Sequence, residues 1–141
     1  MLCQQGSDQP GNLLFWDYHV VLLKDNHIHD FNSTLPFSTP IEQYFSRSFI
    51  DESLLIPLQI PRFRVLPADK YIQLFLSDRR HMKSGDDWHA PPPGWPLISL
   101  TSSNLERFTD MEDQEFGQVL SADELVDLKN GKQLEDTAYH Q

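Results

Sequence analysis

Apolar residues follow two kinds of spacing along this chain. From Leu13 to Lys24 they run almost unbroken and are rich in β-branched and aromatic types, which predicts a strand. Asp25-Asn26 is a turn signal, and His27 to Asn32 reads as the returning strand of a β-hairpin. The spacing then changes. Ile41, Tyr44, Phe45 and Phe49 recur at i, i+3, i+4 and i+8, one apolar face of a helix of about ten residues. Thr39-Pro40-Ile41-Glu42 has the form of a capping box with proline at the first helical position. Pro61 to Leu66 reads as a strand with Arg62 and Arg64 alternating outward, and Pro67 opens a second helix with Tyr71, Ile72, Phe75 and Leu76 as its buried stripe. Residues 83–96 read as loop, from Ser84-Gly85 through three prolines to Gly94 and Pro96. Ser103-x-x-Glu106 and Ser121-x-x-Glu124 are further capping boxes, each opening a short helix, and Asn130-Gly131 stops the last one. Strands and helices mixed without a repeating βαβ pattern predict an α+β fold. The expected organisation is a flexible loop over 1–12, one domain over 13–130 and a frayed tail over 131–141.

A length of 141 residues allows one ordinary domain. Charge narrows the partners. With 21 acidic and 11 basic residues the net charge is -10, which argues against nucleic acid and against anionic membranes. No apolar run approaches the ~20 residues of a membrane-spanning helix. Met1 to Pro10 has neither a basic cluster nor an apolar stretch, so no secretory signal is expected. One cysteine, Cys3, forms no internal disulfide. The cytosol is the expected location.

The hairpin is where chemistry can be read. With a two-residue loop, Lys24 faces His27. Extending that register puts His19 opposite Asn32 and Val21 opposite Asp30. Asp30 is then diagonal to His19 on the same face, roughly 7–8 Å away at Cα. A carboxylate against an imidazole fixes the ring tautomer and stabilises the imidazolium, so that the other ring nitrogen can take a proton from a nucleophile. The plainer alternative is a hydrogen-bonded histidine with a surface aspartate near a turn. His27 and His29 fall on the opposite face and cannot join His19 and Asp30 around one ion, so no metal site is expected.

Trp16-Asp17-Tyr18-His19-Val20, followed by Asp30 and Leu35-Pro36-Phe37, resembles the protein N-terminal glutamine amidohydrolase family. The likeness continues through Phe63-Arg64-Val65, Ser77-Asp78-Arg79, His81-Met82-Lys83, Trp88 and Pro91-Pro92-Pro93. The resemblance implies a papain- or transglutaminase-like cysteine-hydrolase fold, mainly antiparallel sheet with flanking helices. It implies hydrolysis of an N-terminal glutamine side chain to glutamate, with release of ammonia, on proteins or peptides bound for the N-degron route. His19 would be general base and acid, and Asp30 its orienting partner. Neither metal nor organic cofactor would be needed, and the protein would act as a monomer in the cytosol, and also in the nucleus.

In that family the nucleophilic cysteine lies well upstream of the histidine, in a segment without a counterpart here. The chain is therefore expected to be an N-terminally shortened form, with a large apolar patch exposed where that segment would pack. Cys3 lies in the polar run Gln4-Gln5-Gly6-Ser7, not at the start of a helix whose dipole would favour a thiolate, and is not expected to be the nucleophile. The alternative function is an inactive, truncated module that binds N-terminal peptides or another protein. A substrate α-ammonium needs an acidic partner. Asp17 and Asp78 are candidates, with Trp88 and Trp95 as an apolar wall; their plainer roles are a structural hydrogen bond, a salt bridge at a helix end, and packing.

Overall fold

The structure, a computed structural model, describes residues 1–6 and 12–128. It is α+β, with four α-helices and short paired strands among the described residues. Two compact units divide the chain: Met1–Phe63 together with the chain from Leu120 on, and Arg64–Val119.

The first unit is built on a three-stranded antiparallel sheet, β1 (Leu22–Lys24), β2 (His27–His29) and β3 (Ser38–Pro40). Asp25 and Asn26 both take left-handed backbone, with φ of 51° and 60°. A tight hairpin turn matched to strand twist needs this, and Asp and Asn tolerate it. The register is the expected one: Lys24 faces His27, Leu23 faces Ile28 and Leu22 faces His29. The ladder stops there, so the long strand from Leu13 is reduced to three residues and His19 does not pair with Asn32. Two interactions end it. Asp30 Oδ1 accepts from Asn32 N at 2.8 Å and bends the chain. The backbone beyond is then taken by the N-terminal residues: Gln5 N donates to Asn32 O and Thr34 N to Cys3 O, both at 2.7 Å. Residues 1–6 are irregular but tied down, with Gln4 bridged to Ser33.

Thr39 sits inside β3, 1% exposed, and its hydroxyl donates to Pro36 O at 2.6 Å. It is therefore not a helix cap. Pro40 precedes α1 (Ile41–Ser48) without a side-chain cap, and Asn26 O accepts from Ile41 N instead. The helix has eight residues and buries Ile41, Tyr44 and Ser48, while Phe45 and Phe49 meet Phe63 edge-on. α4 (Ala122–Asp127) packs on α1 and carries a true capping box: Ser121 Oγ accepts from Glu124 N, and Glu124 Oε2 accepts from Ser121 N. Ser121→Ala is expected to cost about 1 kcal/mol in a urea melt. The Asn130-Gly131 stop signal lies outside the described residues.

The second unit holds α2 (Ala68–Leu74), β5 (Lys83–Ser84), β6 (Asp87–Trp88) and α3 (Leu105–Thr109). The chain leaves the first unit in β4 (Phe63–Val65), which pairs with β7 (Gln118–Leu120), and re-enters it in β7. Phe75, Leu105, Phe108 and Phe116 form its core, against Leu66, Tyr71 and Leu74. The stripe expected on α2 is corrected: Ile72 is 77% exposed and Leu76 38%. Asn104 is the cause at Leu76. Its side chain accepts from Leu76 N and donates to Leu74 O, ending the helix at Leu74. So engaged, Asn104 gives α3 no side-chain cap, and the box expected at Ser103 does not form. Arg64 does not face outward either: its guanidinium donates to the carbonyls of Phe108, Asp110 and Phe116. The stretch expected as loop contains the β5–β6 hairpin, turned at Gly85 with φ of 63°. Among the described residues no helix is long and apolar enough to cross a membrane.

Candidate functional site

His19 and Asp30 meet in the first unit although the ladder expected to align them is absent. His19 Nε2 lies 3.0 Å from Asp30 Oδ1, with side chains 11% and 2% exposed. The ring N–H points off the line between these atoms, so the contact is short without being a linear hydrogen bond. Trp16 stacks on the imidazole, ring centres 4.9 Å apart and planes 16° from parallel. With Nε2 turned to the carboxylate, Nδ1 is the nitrogen left for a reacting group.

Asp30 is held from several sides. Tyr44 Oη donates to Oδ2 at 2.8 Å and Gln4 Nε2 at 3.3 Å, while Asn32 N donates to Oδ1. Burial pushes this carboxyl toward its neutral form, but the hydrogen bonds from Tyr44 and Asn32 and the contact with His19 outweigh it and leave it below the ordinary carboxylate range. Burial and the adjacent Asp30 both hold the Tyr44 hydroxyl well above the usual phenol range. The site therefore presents an ionised carboxylate and a neutral phenol at neutral pH. Sequence reasoning missed Tyr44, which reads as one more member of the apolar stripe of α1, and Gln4, which carries no local signal.

Cys3 has left-handed backbone, φ 57°, and its thiol donates to Arg47 O at 3.6 Å. That carbonyl is in the last turn of α1, the negative end of the helix dipole and the opposite of the setting a nucleophilic thiolate needs.

Asp17 is exposed, two residues before His19. Asp78 and Trp88 belong to the second unit and border a cavity of about 410 Å³ there, with Arg79, Lys83 and Leu97. The Arg80 guanidinium binds Asp78 at 2.5–3.0 Å and holds its carboxyl down to about 2, so Asp78 makes the salt bridge of its plainer reading. Lys83 Nζ sits 4.7 Å over the Trp88 ring. Trp95 is 69% exposed. His27 Nδ1 is 2.8 Å from Asp25 O, and His29 meets Phe37 edge-on.

A family model described as N-terminal glutamine amidase matches residues 1–129. Proteins named Protein N-terminal glutamine amidohydrolase are similar to this chain. The one from Danio rerio is 34% identical over 87% of this chain and 65% of its own length. The one from Bos taurus is 38% identical, over 80% and 59%. The one from Homo sapiens is 39% identical, over 70% and 52%. The chain thus spans between about half and two thirds of the length of these relatives.

Proposed function

The chain belongs to the N-terminal glutamine amidase family, and from that premise we propose that His19 and Asp30 are the base and its orienting partner in a Cys-His-Asp hydrolysis of N-terminal glutamine. The observation that carries this is the buried His19–Asp30 pair, with Nδ1 left to a reacting group. In the reaction His19 takes the thiol proton and the sulfur attacks the side-chain amide carbon. His19 returns the proton to the leaving nitrogen and ammonia departs. Water, deprotonated by His19, then cleaves the thioester and leaves glutamate. Proton and acyl transfer suffice, so the reaction calls for neither metal nor organic cofactor.

Cys3 is not the nucleophile in this reading, because its thiol is directed at the Arg47 carbonyl. We place the nucleophilic thiol in a segment matching the part of the relatives' length that this chain does not span, in a papain- or transglutaminase-like arrangement. Asp17, exposed and two positions before His19 in the chain, is the acidic partner for the substrate α-ammonium. The substrates are proteins or peptides that begin with glutamine, met by a monomer in the cytosol and nucleus.

The test is ammonia release from a Gln-initiated peptide. In the protein that carries the nucleophile, His19→Ala is expected to lose a factor on the order of 10⁴–10⁶. Release that persists in that variant removes His19 from the mechanism. The 141-residue chain alone is expected to release none. The thiol's orientation favours a second reading for that isolated chain, binding such peptides without turnover. Release by the chain alone that vanishes in Cys3→Ala would reinstate Cys3.

A further inference from the structure

We infer that Tyr44, supported by Gln4, is a positioning residue that fixes the rotation of the Asp30 carboxylate and so presents one of its oxygens to His19. The inference rests on the role proposed for His19 and adds to it a residue of α1. A carboxylate has two equivalent oxygens and turns about its Cβ–Cγ bond. The His19 contact is short but off-line, so it does not fix that rotation by itself. Donors on both oxygens do: the Asn32 N–H holds Oδ1 at 2.8 Å from the backbone, and Tyr44 and Gln4 hold Oδ2 at 2.8 and 3.3 Å from side chains, which leaves Oδ1 turned to His19. Tyr44 is 2% exposed, Gln4 3% and Asp30 4%, so bulk water does not replace either donor. The phenol is also packed in place, since its ring meets the stacked pair Phe45 and Phe49 edge-on. A tyrosine serving only the core would give its hydroxyl to any acceptor; this one is aimed at a single oxygen of the residue that orients the base. The groups facing Asp30 are His19, Tyr44, Gln4 and the Asn32 N–H, and the titratable ones are His19 and Tyr44.

The experiment is NMR on the 141-residue chain and its Tyr44→Phe variant, reading the Asp30 carboxyl titration by ¹³C and the His19 tautomers by ¹⁵N. A donor to the charged form favours it, so its loss moves Asp30 protonation to higher pH. The expected move is about tenfold in proton concentration, from the worth of a hydrogen bond to a charged group. The share of His19 carrying its proton on Nε2 is expected to fall. Gln4→Leu should move both readings the same way by less, and it carries the test should Tyr44→Phe not fold. Titration and tautomers that match the parent chain in the folded variant overturn the inference. Neither reading needs turnover, so failure here is distinct from failure of the glutamine hydrolysis, which ammonia release in His19→Ala decides.

Discussion

Asp30→Asn is expected to lower kcat for glutamine hydrolysis by about 10⁴ while leaving KM nearly unchanged, in the protein that carries the nucleophile. Asparagine has the same shape and one acceptor oxygen, which can still receive the Tyr44 hydroxyl at the Oδ2 position. Its NH₂ then faces His19, where Oδ1 stood 3.0 Å from Nε2, and also the Asn32 N–H, which loses its acceptor as part of the cost. A donor facing Nε2 makes that nitrogen an acceptor and sends the ring proton to Nδ1, the nitrogen that has to take the thiol proton. The base is thus disabled by its tautomer without being moved. Steady-state ammonia release checks the rate and ¹⁵N shifts check the tautomer. A variant within tenfold of the parent enzyme would show that Asp30 does not orient the base.

The same substitution changes the response to acid. The folded carboxyl is held below its ordinary range, so its stabilising share is complete above the unfolded-state value of about 3.9. That share is lost as pH falls through the folded value, and the asparagine variant lacks this component of acid unfolding.

How much of this was legible in the sequence depends on where each residue's partner lies. Asp25-Asn26 and Ser121-x-x-Glu124 are local devices, and both stand as read. The contact between His19 and Asp30 was also legible, but for an incomplete reason. The turn brings the two segments back together, whereas the final approach depends on the Asx turn at Asp30 and on the N-terminal residues that occupy the edge beyond it. Nothing between Leu13 and Asn32 announces that competitor.

The misreadings share one cause. Thr39, Arg64 and Ser103, the neighbour of Asn104, each look like local signals, a cap, an outward arginine and a helix start. Thr39 is instead aligned with Ile28 in the sheet, Arg64 reaches carbonyls 44 to 52 positions away, and Asn104 closes a helix 30 positions back. Apolarity is similarly ambiguous: Phe15 and Val20 carry strand-like character yet are 65% and 54% exposed. Tyr44 is the most instructive case. Its spacing correctly marks a buried face, but spacing cannot show that its hydroxyl ends on a carboxylate supplied from beside β2.

Gly117→Ala is expected to cause a large loss of stability for a single added methyl, about 2–5 kcal/mol. Gly117 has φ of 71° and directly precedes β7. A Cβ built there would overlap the carbonyl oxygen of Val65 and come within 2.8 Å of Leu66 Cβ. The left-handed backbone alone costs alanine roughly 1–2 kcal/mol. The overlap adds a packing cost of about 1–3 kcal/mol, since the obstacle is main chain of a paired strand and not a flexible side chain. Relief by shifting the backbone would disturb Phe116, whose ring stacks on Phe108 and whose carbonyl receives Arg64. Gly94 is the control: nothing lies within 4 Å of a Cβ built there, so Gly94→Ala should stay within about 0.5 kcal/mol of the parent. Urea midpoints of the two variants separate a crowded backbone from the general effect of replacing glycine. Equal midpoints would mean that the chain does not approach Val65 this closely where it turns into β7.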